Sequence, residues 1–384
     1  MTDKHDPLLI PLLSASNFVI GMGAFVVIGL INPIADDLSM TTAQAGWILT
    51  SYALAYSVLS PILVAATGAI GRRRVLTIGL AIFAVAALIS ALAPDETMLF
   101  AARVLASAGA GMFTPVAAAV GAGLSSPERR ARALAAVFFG LTLAQVIGVP
   151  AGSFIAYTFG WRMAFLVVAL LALPCIWAIW VRVPAGLSFQ PVSLKDLRAT
   201  LRNGPIMIAV LFTATFLSAI YIVFTYLAPL LTETMGFGRN GITAALVVSG
   251  LGAVVGNIYG GILADRIGAF RTLLSLSVLQ VLTLPLFSTL PWSHAALIAL
   301  IFCWSTFGWS FMAAQQARLL TLAPESASVV LSLNAAAIYV GAAIGAAIGG
   351  VVLSTFSLSA LGVAGGICAI LGVAHIVISK RISP

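Results

Sequence analysis

Apolar residues run along this chain in long blocks, interrupted at short intervals by glycine, proline and charge. A helix that crosses a bilayer needs about 20 predominantly apolar residues. On that measure the blocks predict helices near 8–33, 44–67, 74–93, 97–124, 132–158, 162–183, 205–231, 241–264, 270–289, 294–317, 327–354 and 358–379. The one long polar interruption is "RVPAGLSFQPVSLKDLRATLRNGP", from Arg182 to Pro205, at the midpoint. The expected organisation is a six-helix bundle over 1–183, a linker over 184–204 and a second six-helix bundle over 205–384.

The two bundles repeat one another. "GAIGRRRVL" has a partner in "ADRIGAFRTLL", which sets Gly71 against Gly268 at an offset of 197 (268 − 71). The same offset carries Pro127-Glu128 onto Pro324-Glu325, Gly148 onto Gly345 and Gly152 onto Gly349. Six helices return a chain to its starting side, so the second half keeps the orientation of the first. The fold class is therefore an all-α polytopic membrane protein, with twelve transmembrane helices in two parallel halves.

Composition agrees with lipid as the solvent. Of 384 residues, 61% are hydrophobic and 8% charged, against about 25% charged in a soluble domain. A formal charge of +8 in a soluble protein would suggest nucleic acid. Here topology explains it. With the N-terminus in the cytoplasm, sixteen of the 19 Lys and Arg fall on cytoplasmic segments. Arg162 and Arg239 fall on the opposite face, and Arg103 lies within a span. No nucleic-acid partner is needed, and both termini are expected in the cytoplasm. The first residues, "MTDKHDPLLIPLL", read as the lead into a span and not as a cleaved signal.

Three cysteines, Cys175, Cys303 and Cys368, sit singly in apolar runs, with no metal-binding spacing. Three histidines, His5, His294 and His375, are scattered at span ends, which argues against an enzyme. No phosphate-binding loop appears, so nucleotide hydrolysis within this chain is not the expected energy source, and no cofactor is expected.

Several stretches resemble a known family. Twelve spans in parallel halves, with a G-x-x-x-D-R-x-G-R-R-like turn after helix two, resemble the major facilitator superfamily. "RVLASAGAG", Arg103 to Gly111, is similar to the helix-four motif of its proton-coupled members. "GLTLAQVIGVPAG" is similar to its helix-five antiporter motif through Gly148, Pro150 and Gly152. "FGWRMAF", "FTYLAPLL" and "AQQARLLTLAPE" resemble the arabinose- and purine-efflux-like branch of the twelve-span drug:proton antiporters. The resemblance implies a monomeric inner-membrane transporter that handles a small molecule and protons. It also implies a conformational latch formed by Gly68, Gly71, Arg72 and Arg73 in one half and Asp265, Arg266 and Gly268 in the other. The family turn carries an acid facing the start of helix eleven. The second half keeps it as Asp265, whereas the first half has Gly68 in its place.

Candidate pathway residues follow. Arg103 is the one basic residue well inside a span, where a charge costs about 2.5–3.5 kcal/mol. It either faces a cavity or bonds neighbouring carbonyls. Ser107 shares its face, and Asn17 lies on a small, polar face of helix one. Ser218, Tyr221 and Thr225 do the same on helix seven, and Trp304 offers an aromatic wall on helix ten. Gln145, Asn334, Asn257 and Tyr339 are further polar candidates. The resemblance places helices one, four, seven and ten around the cavity. Small and polar stripes are otherwise helix-helix glue. Gly341, Gly345 and Gly349, with Gly140, Gly148 and Gly152, mark close backbone approach.

The chain holds no acid inside a predicted span; Asp36, Asp37, Asp95, Glu96, Glu233 and Asp265 fall at span ends. The proton carrier is thus not identified. The expected function is proton-coupled efflux of a small organic compound (drug, sugar or nucleoside-like) by alternating access. Alternatives are an uncoupled facilitator or importer of the same fold, or a non-transporting membrane sensor.

Overall fold

The computed structural model describes residues 7–125, 130–187, 194–324 and 327–382. Eleven helices among them are long and apolar enough to cross a bilayer, and a bent pair makes a twelfth span. Span 1 is the pair Leu9–Phe25 and Val27–Asp37, bent by 40°. Spans 2 to 6 are Thr42–Val64, Arg72–Leu92, Glu96–Gly123, Ala136–Phe159 and Trp161–Arg182. Spans 7 to 12 are Gly204–Met235, Arg239–Ile267, Ala269–Thr289, His294–Leu322, Val329–Thr355 and Ala360–Ile382. No strand occurs among the described residues. The all-α, multi-span class read from the apolar blocks is the observed one. The expected linker contains a short basic helix, Leu194–Arg202. Of the residues that carried the repeat, Pro127, Glu128 and Glu325 lie outside the described set.

The helices are apolar on their outer sides as well as within. Trp177, Ile258, Leu282, Ile367 and Phe356 are each at least 60% exposed. A surface of that kind is solvated by lipid chains, and an all-helical chain meets the bilayer's demand that every backbone polar group be bonded internally.

Five spans are irregular: span 9 ends in a 3-10 turn, Leu284–Thr289, span 10 breaks at Ser310, and of the irregularities in spans 1, 5 and 7 local sequence explains two. Span 7 breaks at Thr225–Tyr226, between helices Gly204–Phe224 and Leu227–Met235. Pro229 stands four residues after Thr225, so its ring collides with that carbonyl and its missing N–H leaves it unbonded. Span 5 passes through a π turn, Ala144–Gly148, before Val149–Phe159. Pro150 sits just past it, and the wider turn absorbs the same conflict. Span 1 breaks at Val26 with no proline four residues on, and the side chain responsible is described below.

By internal packing the chain divides into two units. One holds residues 1–27 and 55–191, the other residues 28–54 and 192–384. The second half of span 1 and most of span 2 therefore pack with the C-terminal spans. Asn32 donates to the Thr232 hydroxyl at 2.9 Å. The Tyr52 and Tyr339 rings lie 6.3 Å apart. The Tyr226 hydroxyl bonds the Ala346 carbonyl at 3.0 Å, and its tip lies flush against Gly46.

Each unit uses the same glycine groove. In the first, a Cβ on Gly148 would lie 3.1 Å from Met22, and one on Gly152 would overlap Val26. In the second, a Cβ on Gly345 would lie 2.5 Å from the Ser218 carbonyl, and one on Gly349 2.6 Å from the Tyr226 ring. Glycines paired by the sequence offset thus receive span 1 in one half and span 7 in the other. Their role is backbone approach.

Candidate functional site

In the first unit one candidate, Asn17, joins three spans. Asn17 is fully buried, and its amide donates to the Val137 carbonyl at 3.0 Å. Its Oδ1 accepts from the Thr114 hydroxyl at 2.9 Å. One side chain thus ties span 1 to spans 4 and 5. The second unit builds a matching joint with the amide on the other partner. Thr213 of span 7 donates to Asn334 Oδ1 at 2.6 Å, and Asn334 is Val137 advanced by the same 197 residues (334 − 137). Gln315 of span 10 completes it, donating to the Ala209 carbonyl at 2.8 Å and to the Thr213 hydroxyl at 3.0 Å. These amides satisfy groups that would otherwise be stranded in an apolar interior.

Arg103 is 1% exposed. Its guanidinium donates to the Gly23 carbonyl at 2.8 Å and the Ala24 carbonyl at 3.0 Å, and its carbon lies 5.6 Å from the centre of the Phe165 ring. Both carbonyls belong to the last turn of Leu9–Phe25, where acceptors lose their helical donors. A side chain inserted into the backbone ladder bends a helix, and this one stands at the bend of span 1. The charge is held by these backbone carbonyls. Ser107, one turn on, bonds back to the Val104 carbonyl at 2.7 Å. Gln145 lies half-buried in the π turn of span 5, with Gly148 and Pro150 buried beside it.

The second unit gathers Tyr221, Thr225 and Trp304 at the break of span 7. All three are at most 1% exposed. The Phe224 ring stands edge-on to both Tyr221 (5.8 Å) and Trp304 (6.1 Å), and Phe287 closes on Trp304 at 5.1 Å. Gln280 of span 9 donates to the Trp304 carbonyl at 3.3 Å. The Tyr221 hydroxyl, Thr225 Oγ1, Trp304 Nε1 and Gln280 Oε1 have no hydrogen-bond partner among the described residues. Phe224 links Tyr221 to Trp304, and Gln280 bonds Trp304, so these side chains form one tier beside the break.

Sequence reasoning missed Gln280, Gln315 and His375. Gln280 is a lone amide within "SLSVLQVLTLPLF", and that isolation was the available signal. His375 reads from sequence as a span-end residue. It lies between spans 12 and 7, with Nδ1 2.9 Å from the Thr215 hydroxyl and Nε2 2.8 Å from the Ile208 carbonyl.

The residues of the expected latch lie at helix ends. Arg72 is buried, and its backbone N–H bonds the Leu187 carbonyl at 3.2 Å. Arg73 lies over the Trp180 ring at 4.6 Å. Gly71 and Gly68 are half-buried. Asp265 and Arg266 are exposed in the last turn of span 8, and Gly268 turns the chain at φ 86°, a conformation that favours glycine.

Comparison with known proteins agrees with this architecture. The Major Facilitator Superfamily profile matches residues 13–335. The chain is 31% identical over 375 residues to the inner membrane transport protein YdhP of Escherichia coli (strain K12), covering 97% of this chain and 96% of that one. It is 30% identical over 350 residues to the uncharacterized MFS-type transporter YbcL of Bacillus subtilis (strain 168), covering 91% and 90%. A bacterial homolog of the human lysosomal transporter Spinster, solved in an inward-facing and occupied conformation, superposes with a TM-score of 0.78 at 16% identity, over 99% of this chain and 98% of that one. The chain belongs to the major facilitator superfamily and is a multi-pass membrane transporter, not an enzyme.

Proposed function

We propose that this protein is a secondary transporter of the inner membrane, with both termini cytoplasmic, that exports a small organic compound in exchange for protons. The observation that carries the reading is the pair of helix breaks. Span 1 and span 7 are counterparts in the repeat, and they break at Val26 and at Thr225–Tyr226. Interrupted helices at corresponding places in two repeats mark the substrate site of a transporter. The unmet polar atoms of Tyr221, Thr225 and Trp304 lie at the second break. Alternating access then requires the segment 28–54, now packed on spans 7 and 11, to come away from them.

Export in place of import is supported by the resemblance of Gly140 to Gly152 to an antiporter motif. Inner-membrane placement is supported by the likeness to YdhP. Proton exchange is supported by His375, a titratable side chain held between spans 12 and 7. One observation favours uncoupled facilitation. Among the described spans the acids are Asp36, Asp37, Glu96, Glu233 and Asp265, each within three residues of a helix end. A pH-sensitive dye inside proteoliposomes, read across a panel of compounds, separates the two. Exchange moves protons when a substrate is added. Facilitation gives substrate flux with no pH change, and no flux of any compound rejects transport of that panel.

A further inference from the structure

The tier at the break of span 7 also carries chemical information about what it holds. Its unmet atoms are an indole N–H on Trp304, hydroxyls on Tyr221 and Thr225, and the amide oxygen of Gln280. The first donates only, the last accepts only, and a hydroxyl does either. The walls are rings: Phe224, Phe287 and Trp304, each edge-on to a neighbour. Such a lining favours a flat apolar body with one donor and one acceptor on its rim.

Charge narrows the class. The tier contains no ionised side chain. The spans' acids lie at helix ends among the described residues. The buried Arg318 donates to Ser379 at 2.7 Å, near the far end of span 12, and Arg103 is held by carbonyls of span 1. A cation in the tier would lose its hydration and meet no counter-ion, a cost that normally drives a group to its neutral form.

We infer that the tier formed by Tyr221, Thr225, Gln280 and Trp304 is a binding site for uncharged aromatic compounds bearing an amide or hydroxyl group, and that it discriminates against organic cations. The inference names the substrate class of the proposed transporter and rests on that reading for its physiological meaning. Binding itself is measurable without transport.

Three probes share one ring and differ in charge: 4-hydroxybenzamide, 4-hydroxybenzoate and protonated 4-hydroxybenzamidine. Saturation-transfer NMR on the full chain in nanodiscs, with empty nanodiscs as blank, reads their affinities at mildly acidic pH. The amide is expected to bind at least about tenfold more tightly than the amidinium. Gln280→Leu and Tyr221→Phe are each expected to weaken it about three- to tenfold, as loss of one hydrogen bond does. Trp304→Phe keeps a ring and removes the N–H, with a similar loss. Leu282→Ala, on the exposed side of span 9, leaves binding unchanged. Size-exclusion profiles confirm that each variant is folded. Equal or tighter binding of the amidinium, affinities indifferent to all three tier variants, or no saturable binding of any probe overturns the assignment. If the amide binds through the tier yet shows no flux in proteoliposomes, the site stands and its reading as the substrate site of the transporter falls.

Discussion

Replacing Arg103 with methionine tests whether that charge holds the bend of span 1 or waits for a ligand. Its two bonds reach carbonyls at 2.8 and 3.0 Å in a site 1% exposed. Hydrogen bonds to a charged group contribute about 1.5–3 kcal/mol each, so the pair contributes about 3–6 kcal/mol. Methionine is of similar length and recovers the cost of a charge in a span, about 2.5–3.5 kcal/mol. The net change runs from a gain of about 0.5 to a loss of about 3.5 kcal/mol, centred on a loss of about 1.5 kcal/mol. At roughly 2–4 °C per kcal/mol for a body of 150–250 residues, the central loss lowers Tm by about 3–6 °C. An arginine facing an open cavity predicts the opposite sign, because methionine would then recover the burial cost and lose no bond. Thermal unfolding followed by fluorescence-detected size exclusion reads the difference. A Tm raised by more than about 2 °C over the unsubstituted protein refutes the carbonyl clamp and returns Arg103 to the ligand site. Arg103→Lys keeps the charge but reaches one carbonyl, so it is expected to lower Tm without the compensating gain.

Further outcomes follow from the same contacts. Asn17→Ala and Thr114→Val are each expected to cost about 1–3 kcal/mol, while the double variant is little worse than Asn17→Ala alone; simple additivity in denaturation would show that the two do not cooperate. Gly345→Ala drives a methyl to 2.5 Å from the Ser218 carbonyl and is expected to cost about 1–3 kcal/mol, whereas Gly261→Ala, with its nearest neighbour at 3.8 Å, is neutral; equal Tm values for both would refute the close-packed groove. His375→Gln keeps a hydrogen-bonding side chain and removes the titratable ring, so substrate flux should persist while its pH signal is lost; an unchanged pH signal clears His375 of proton carriage. Gly68→Asp restores an acid worth about 0.3–1 kcal/mol at a helix end. It should shift labelled cytoplasmic distances toward the closed form by about 2–5-fold, and unchanged distances would sink the latch.

The spans were legible because lipid imposes one requirement, long apolar runs, and the sequence meets it twelve times. The repeat was legible because Gly148, Gly152, Gly345 and Gly349 lie tight against side chains or backbone of the neighbouring span, where an added Cβ is crowded and the smallest residue is favoured. Roles were harder to read. Asn17, Arg103, Tyr221 and Trp304 all stood out as polar or aromatic residues within apolar runs. Sequence alone does not say which will find a partner. Asn17 and Arg103 find theirs in Thr114 and in the carbonyls of span 1, while Tyr221 and Trp304 are left with unmet polar atoms. Whether an amide is joined or unmet depends on the rotation of a neighbouring helix, which leaves no trace in local spacing. Gln280 escaped notice for that reason, since its meaning comes from Trp304, on a different span.

The fit of Tyr226 against Gly46 has a practical consequence. A single carbon added at Gly46 would overlap the Tyr226 hydroxyl, and one added at Gly350 would come within 2.9 Å of it. Gly46→Ala therefore disfavours the docked arrangement of residues 28–54. Overpacking of this kind costs about 1–3 kcal/mol, a bias of roughly five- to 150-fold in favour of any state in which the segment is undocked. One methyl group then serves as a conformational trap. The alanine protein is the sample of choice for crystallisation or cryo-microscopy aimed at the opposite state of the cycle, and for raising antibody fragments that recognise that state alone.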